Sequence, residues 1–173
     1  MDHFDQDLEP YFTSLGFMAH SYAMMEHGLT VAMTAIHHFH GGRDIDKNLP
    51  RTALNAKLRY LRNVLDRVAF SDPSNAEALA FLVKVEALAT ERQLHIHGTP
   101  QEIKDGTVEL VKMDINKADN LLHQTYQFVT IQRMLQIGDE ATNLASFALD
   151  WAVKMVPENS HSLLRNPRPK LAD

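Results

Sequence analysis

The chain of 173 residues contains no cysteine, which excludes disulfide bonds, cysteine-ligated zinc sites and cysteine nucleophiles. It also lacks a basic excess: the formal net charge is -5, whereas a generic nucleic-acid-binding domain normally carries a positive one. No apolar run approaches membrane-spanning length, and the acidic start MDHFDQDLEP does not resemble a signal peptide. These absences predict a cytoplasmic protein without a membrane segment.

Apolar residues, in contrast, are plentiful. They make up 45% of the chain, which is enough for one core of ordinary size. We therefore predict a single helical domain over residues 1–156. The remaining segment, 157–173, is polar and contains three prolines, and we expect it to be a mobile C-terminal tail.

Three segments have apolar residues at every third or fourth position, the spacing of one face of an α-helix. They cover about 15–39, 50–70 and 73–97. Gly98 and Pro100 directly follow the third segment and are typical of a helix end. The sequence thus predicts three long helices in its first hundred residues.

Residues 99–113 lose this spacing, and Asp105-Gly106 between short apolar runs predicts a short β-hairpin or loop. Helical spacing returns from about Asn116 to Met155, a stretch that would span roughly 60 Å as one helix. We expect Gly138-Asp139 to divide it into two helices. The predicted fold is all-α: an up-down bundle of four to five helices with a hairpin or loop at about 99–113.

One charged residue interrupts the apolar stripe of the third helix. Arg92 lies between Leu88 and Ile96, where another apolar residue is expected. A buried guanidinium requires a partner, and Glu26, near the core face of the first helix, is one candidate acceptor. Such an ion pair would make Arg92 structural, whereas a polar cleft would make it chemically available.

Two histidines near the end of the same helix are candidate bases, because histidine exchanges protons near neutral pH. His95 is three residues from Arg92 and shares its helix face. His97 is five residues from Arg92, roughly 140° around a regular helix, but it precedes Gly98, where the backbone can unwind. The structural alternative is that both imidazoles stabilise the helix C-terminus.

The second helix carries five basic residues, Arg51, Lys57, Arg59, Arg62 and Arg67, and the first four are the candidate RNA contacts. Such a row can follow an RNA backbone or form a solvated helix face. Both interpretations stay open at the level of sequence.

At the end of the first helix, His37 and His40 share a face at three-residue spacing, which is a weak signal for a metal site. No carboxylate lies at a helpful offset in that helix. Our prediction is therefore no metal and no cofactor, with His37 and His40 as the alternative.

The segment RQLHIHG, from Arg92 to Gly98, resembles the signature of the HEPN superfamily, in which an Arg is followed after four to six residues by a His. It is also similar to bacterial proteins with an Arg-Asn-x-x-x-His-Gly core. The resemblance covers roughly residues 10–150 and implies a HEPN-like helical fold and a homodimer in which two motifs meet. It implies a metal-independent endoribonuclease of a toxin-antitoxin or phage-defence type, with RNA as substrate and an antitoxin or other protein as partner.

By the same resemblance, Arg92 stabilises charge on the phosphate and His97 is the base. Gln93, His95 and Glu26 are the candidate supporting residues beside them. Family members usually place Asn, Asp or His directly after the Arg, where this chain has the longer Gln93. This departure favours the alternative function, a non-catalytic helical dimerisation or binding module for a partner protein or nucleotide.

Overall fold

A computed structural model describes residues 5–50, 53–116, 121–158 and 160, and the structural statements below refer to these residues. They form five α-helices and one three-stranded antiparallel sheet. In chain order the elements are α1 (Asp5–Phe39), α2 (Gly42–Ile45), α3 (Leu54–Leu65), α4 (Asn75–His97), β1 (Thr99–Lys104), β2 (Thr107–Asn116), β3 (Leu121–Thr130) and α5 (Ile131–Met155). No helix in this part of the chain is both long and apolar enough to cross a membrane.

The prediction of an all-α fold is wrong, because residues 99–116 and 121–130 form a sheet that is more than a short hairpin or loop. β1 and β2 do form a hairpin around Asp105-Gly106, where both residues have positive φ. However, β2 continues to Asn116 and pairs along its whole length with β3. The expected helix near Asn116 is therefore replaced by a third strand.

The physical reason lies in the composition of β3, LLHQTYQFVT. Leu122, Thr125 and Val129 happen to fit helical spacing, but the segment is rich in β-branched and aromatic residues, which favour strands. Pairing with β2 also satisfies the backbone groups of alternate β3 residues.

The predicted break at Gly138-Asp139 is also wrong, since α5 is one unbroken helix. Thr130 caps its start, its hydroxyl oxygen accepting from the Arg133 backbone N–H at 3.0 Å. Gly138 is buried where α1 crosses α5, and a Cβ added there would meet the ring of Phe17. The glycine thus allows close helix packing and does not end the helix.

The main core lies where α1 packs against α5. Gly28 of α1 faces α5 so closely that a Cβ added there would lie 3.1 Å from both the Ala145 carbonyl oxygen and the Ala148 Cβ. Trp151, the only tryptophan of the chain, is 1% exposed and contacts Phe81 of α4 edge-on. This packing fixes α4 relative to the α1–α5 pair.

α4 carries the candidate site, and both of its ends are defined. Ser74 and Glu77 form a capping box, with the Glu77 carboxylate accepting from the Ser74 backbone N–H at 2.9 Å. The helix therefore begins slightly later than residue 73, where the predicted segment starts. Its predicted end at His97 is confirmed.

The sheet covers one end of the α1–α5 pair. Val108, Leu110 and Val129 on one sheet face form a second core cluster with Tyr11 of α1 and Met134 of α5. Because β1 starts directly after α4, the sheet begins beside the histidines at the end of α4.

Candidate functional site

Arg92 lies in the last turns of α4, on the core-facing stripe between Leu88 and Ile96. Its guanidinium carbon is 4.3 Å from the centre of the Tyr22 ring on α1, a cation–π contact. Its Nε is buried and has no hydrogen-bond partner among the described residues, and no carboxylate in that part of the chain pairs with it. Within the described part of the chain, the charge therefore lies against an aromatic ring and not against an acid.

Glu26, the expected partner, is half-buried on α1 one turn from Tyr22. Burial raises the pKa of Tyr22 to about 12, the negative charge of Glu26 adds to the rise, and the positive charge of Arg92 opposes it. Both charges therefore act on the same phenol. The ion pair that would have given Arg92 a purely structural role is not formed between these two described residues.

His95 is enclosed. It is 2% exposed, and burial, aided by the nearby Arg133 charge and opposed by Glu91, lowers its pKa. Its Nδ1 has no hydrogen-bond partner among the described residues. Although His95 shares a helix face with Arg92, a substrate in solution does not reach it.

The strongest polar contact beside the site was missed at the level of sequence. Arg133 of α5 forms two hydrogen bonds of 2.6 Å to the two carboxylate oxygens of Glu91 and a third of 2.8 Å to Glu140. The bonds to Arg133 hold the pKa of Glu91 below its usual range. Glu91, Arg133 and Glu140 line a groove of about 440 Å³ between α4 and α5. Lys84 and Asn143 line it too.

His97 and Gln93 are both exposed and lie four residues apart on the solvent-facing side of α4. Because α4 remains helical through His97, its side chain and that of Arg92 leave the helix roughly 140° apart. The unwinding that would turn them towards each other does not occur. A single chain brings Gln93 and His97 together on one face, but leaves Arg92 on another.

The four basic residues predicted to bind RNA do not share one environment. Arg51 lies outside the described residues. Lys57 is 6% exposed, and its ammonium donates to the Thr30 hydroxyl at 3.0 Å. Arg62 pairs with Glu86 of α4 at 2.6 Å, while Arg59 is exposed. Of the three that are described, Arg59 is thus the one directed freely into solvent.

His37 and His40 connect helices. His37 Nδ1 is 2.9 Å from the Tyr60 hydroxyl of α3, and His40 Nε2 donates to the Met155 carbonyl at 2.8 Å. Each imidazole therefore has one nitrogen engaged. Among the described residues, no group of three or more His, Cys, Asp or Glu side chains is arranged to hold a metal ion.

Comparisons with protein-family models, with curated proteins and with solved structures found no match. The main features of the site are an arginine without an acidic partner among the described residues, an exposed histidine at the end of the same helix, and a buried histidine between them in sequence.

Proposed function

We propose that this chain is a metal-independent endoribonuclease of the HEPN-like type, acting as a cytoplasmic homodimer in a toxin-antitoxin or phage-defence setting. The observation that supports the proposal is the state of Arg92, whose positive charge lies on a core stripe without a carboxylate partner in the described part of the chain. An ion pair would neutralise the guanidinium. Stacking on Tyr22 leaves its charge and donors for a phosphate, the ligand that a guanidinium recognises best.

The proposed reaction is an internal transesterification of RNA. His97 accepts the proton of a 2′-hydroxyl, the 2′-oxygen attacks the adjacent phosphorus, and the bond to the 5′-oxygen of the next nucleotide breaks. The leaving 5′-oxygen takes up a proton from water, His97 afterwards releases its proton to solvent, and Arg92 stabilises the negative charge that accumulates on the non-bridging oxygens. The products are a 2′,3′-cyclic phosphate and a 5′-hydroxyl.

This reaction requires two copies of the chain, because α4 directs Arg92 and His97 away from each other. His97 of one copy would act with Arg92 of the other, as the resemblance to HEPN dimers implies. Gln93, exposed beside His97, can supply a hydrogen bond through its amide. His95 is too deeply buried to replace His97 as the base.

The test is cleavage of single-stranded RNA by the purified protein in excess EDTA. We expect products with 2′,3′-cyclic phosphate ends, no cleavage of DNA, and loss of activity in Arg92→Met and His97→Ala. His95→Gln should retain activity. Cleavage that persists in the double variant of Arg92 and His97 would come from a contaminant, and no cleavage by the wild-type protein would refute the proposal.

Mixing subunits tests the composite site directly. A dimer of one Arg92→Met chain and one His97→Ala chain contains one site with both groups intact. Two inactive variants that are unfolded and refolded together should therefore regain about a quarter of the wild-type activity, since about half of the dimers are mixed. If no activity is recovered, the active site uses Arg92 and His97 of the same chain, and the composite site is refuted.

A second candidate function is a non-catalytic module that binds a partner protein or nucleotide. It is favoured by the outer face of β3, where Leu122, Tyr126 and Phe128 are each more than half exposed. A wild-type protein that folds but leaves RNA intact would favour this function.

A further inference from the structure

The first half of β3 is exposed to solvent. Residues 122–126 are all exposed, so this part of β3 is uncovered on both faces. Leu122, Tyr126 and Phe128 are 62%, 56% and 72% exposed. β3 is also an edge strand, since β2 is its only partner in the described sheet. A long, exposed, apolar edge of this kind is a template for pairing with another strand.

The opposite edge of the same sheet is protected. β1 contains Pro100, a bulge between Pro100 and Glu102, and the charged residues Glu102 and Lys104. Prolines, bulges and charges are the features that prevent edge-to-edge pairing. β3 contains no proline, glycine, Asp, Glu, Lys or Arg. A second copy of β3 can therefore lie antiparallel to the first without placing two permanent like charges opposite each other.

The backbone groups at the free edge can be assigned. The Ile131 N–H donates to the Gly106 carbonyl at 2.9 Å, which continues the β2–β3 register beyond the Thr107–Thr130 pair. Hydrogen-bonded pairs alternate along an antiparallel ladder, so the odd-numbered residues of β3 bond to β2. The groups directed outwards belong to Leu122, Gln124, Tyr126 and Phe128.

We propose that β3 pairs antiparallel with β3 of a second copy of this chain, which joins two three-stranded sheets into one of six strands. Outward-directed groups meet only when even-numbered residues pair with each other. The registers centred on Thr125 and on Tyr126 do this with equal overlap, and the first is chosen because it leaves Thr130, which caps α5, outside the pairing. It places Leu122 opposite Phe128 and Gln124 opposite Tyr126 of the other copy. The two Thr125 residues meet on the two-fold axis as a non-hydrogen-bonded pair, with Cα atoms about 4.5 Å apart. This inference does not depend on RNA cleavage.

A single introduced cysteine tests the register, because the chain has no cysteine of its own. Thr125→Cys should form a disulfide-linked dimer under mild oxidation. Gln127→Cys is the matched control: its two copies would be four residues out of register, about 13 Å apart along the strand. Disulfides require Cα atoms within about 7 Å. Absence of cross-linking in Thr125→Cys, or equal cross-linking in both variants, would overturn the proposal.

Proline at position 124 tests the interface without a new bond. The Gln124 N–H points away from β2, so Gln124→Pro keeps the β2–β3 ladder but removes a donor near the centre of the pairing. Gln124→Ala is the control and should have the same mass as the wild type by light scattering at micromolar concentration. That mass should be twice 19.6 kDa, or a larger multiple if α4 also self-associates. Gln124→Pro should have half the mass of Gln124→Ala with the same circular dichroism spectrum. A monomeric wild type, or equal masses of a folded Gln124→Pro and Gln124→Ala, would contradict the pairing. If Gln124→Pro unfolds, the cysteine pair decides.

Discussion

Replacing Arg92 with Met should leave the free energy of unfolding unchanged or raise it. Removing one member of a buried ion pair normally destabilises a protein by about 3–5 kcal/mol, because the other charge remains buried and unpaired. Arg92 has no such partner among the described residues. Met is also an unbranched apolar side chain suited to the stripe formed by Leu88 and Ile96.

Two opposing contributions set the magnitude. The variant loses the contact between the guanidinium and the Tyr22 ring, which contributes about 0.5–2 kcal/mol. It also removes a buried N–H that has no hydrogen-bond partner in the described structure, and such a group costs the folded state about 1–3 kcal/mol. We therefore expect a net gain of about 1 kcal/mol, or a rise in Tm of about 2–4 °C for a chain of this length.

The assay is urea and thermal unfolding followed by circular dichroism and by the fluorescence of Trp151, the only tryptophan. Arg133→Met is the matched control, since it breaks pairs with Glu91 and Glu140 and should lower stability by about 1 kcal/mol. A loss of 3 kcal/mol or more in Arg92→Met, on the scale expected for a broken buried pair, would show that Arg92 has an acidic partner after all. A stabilised variant that no longer cleaves RNA would indicate that Arg92 is retained for function.

Two further predictions concern stability. Because burial lowers the pKa of His95, the unfolded chain binds a proton that the folded chain does not, so stability is complete above about pH 6.5 and falls as the pH decreases. Urea midpoints between about pH 7 and pH 5 should fall less steeply in His95→Gln than in the control His97→Gln, and equal slopes would contradict the argument. Gly42→Ala should destabilise the protein by about 1–3 kcal/mol, because the added Cβ would meet the Tyr60 hydroxyl and lie 2.8 Å from the His37 Cα. Gly16→Ala is the control, because nothing lies within 4 Å of the added atom, and its Tm should equal or exceed that of the wild type. Equal Tm values for Gly42→Ala and Gly16→Ala would refute the packing argument.

The helical half of the fold was predictable because each long helix buries one face and therefore has apolar residues at regular spacing. β3 was not predictable in this way. Residues 122–126 are exposed on both faces, so they show no alternation of apolar and polar residues. What makes them a strand is their pairing with β2, a contact that spacing within one segment does not reveal.

The candidate site was also predictable only in part. The position of Arg92 on the core-facing stripe of α4 was predictable from its neighbours Leu88 and Ile96. Its contact with Tyr22 was not, because it depends on how α1 and α4 are rotated about their axes. The Glu91–Arg133 pair was missed for a related reason: Arg133 lies in the first turn of α5, and that helix begins at Ile131 only because β3 ends at Thr130.

The two proposed associations require different symmetry axes, so their tests are independent. In the six-stranded sheet, the two copies of β1 would be separated by five strand spacings, about 24 Å. Each α4 ends directly before β1, so His97 of one copy would be far from Arg92 of the other across this axis. A composite RNA site therefore needs a second interface through α4. Cross-linking of Thr125→Cys without recovery of activity in mixed subunits would support the sheet pairing alone. The reverse result would support the α4 interface alone, and both positive results require an assembly of at least four chains.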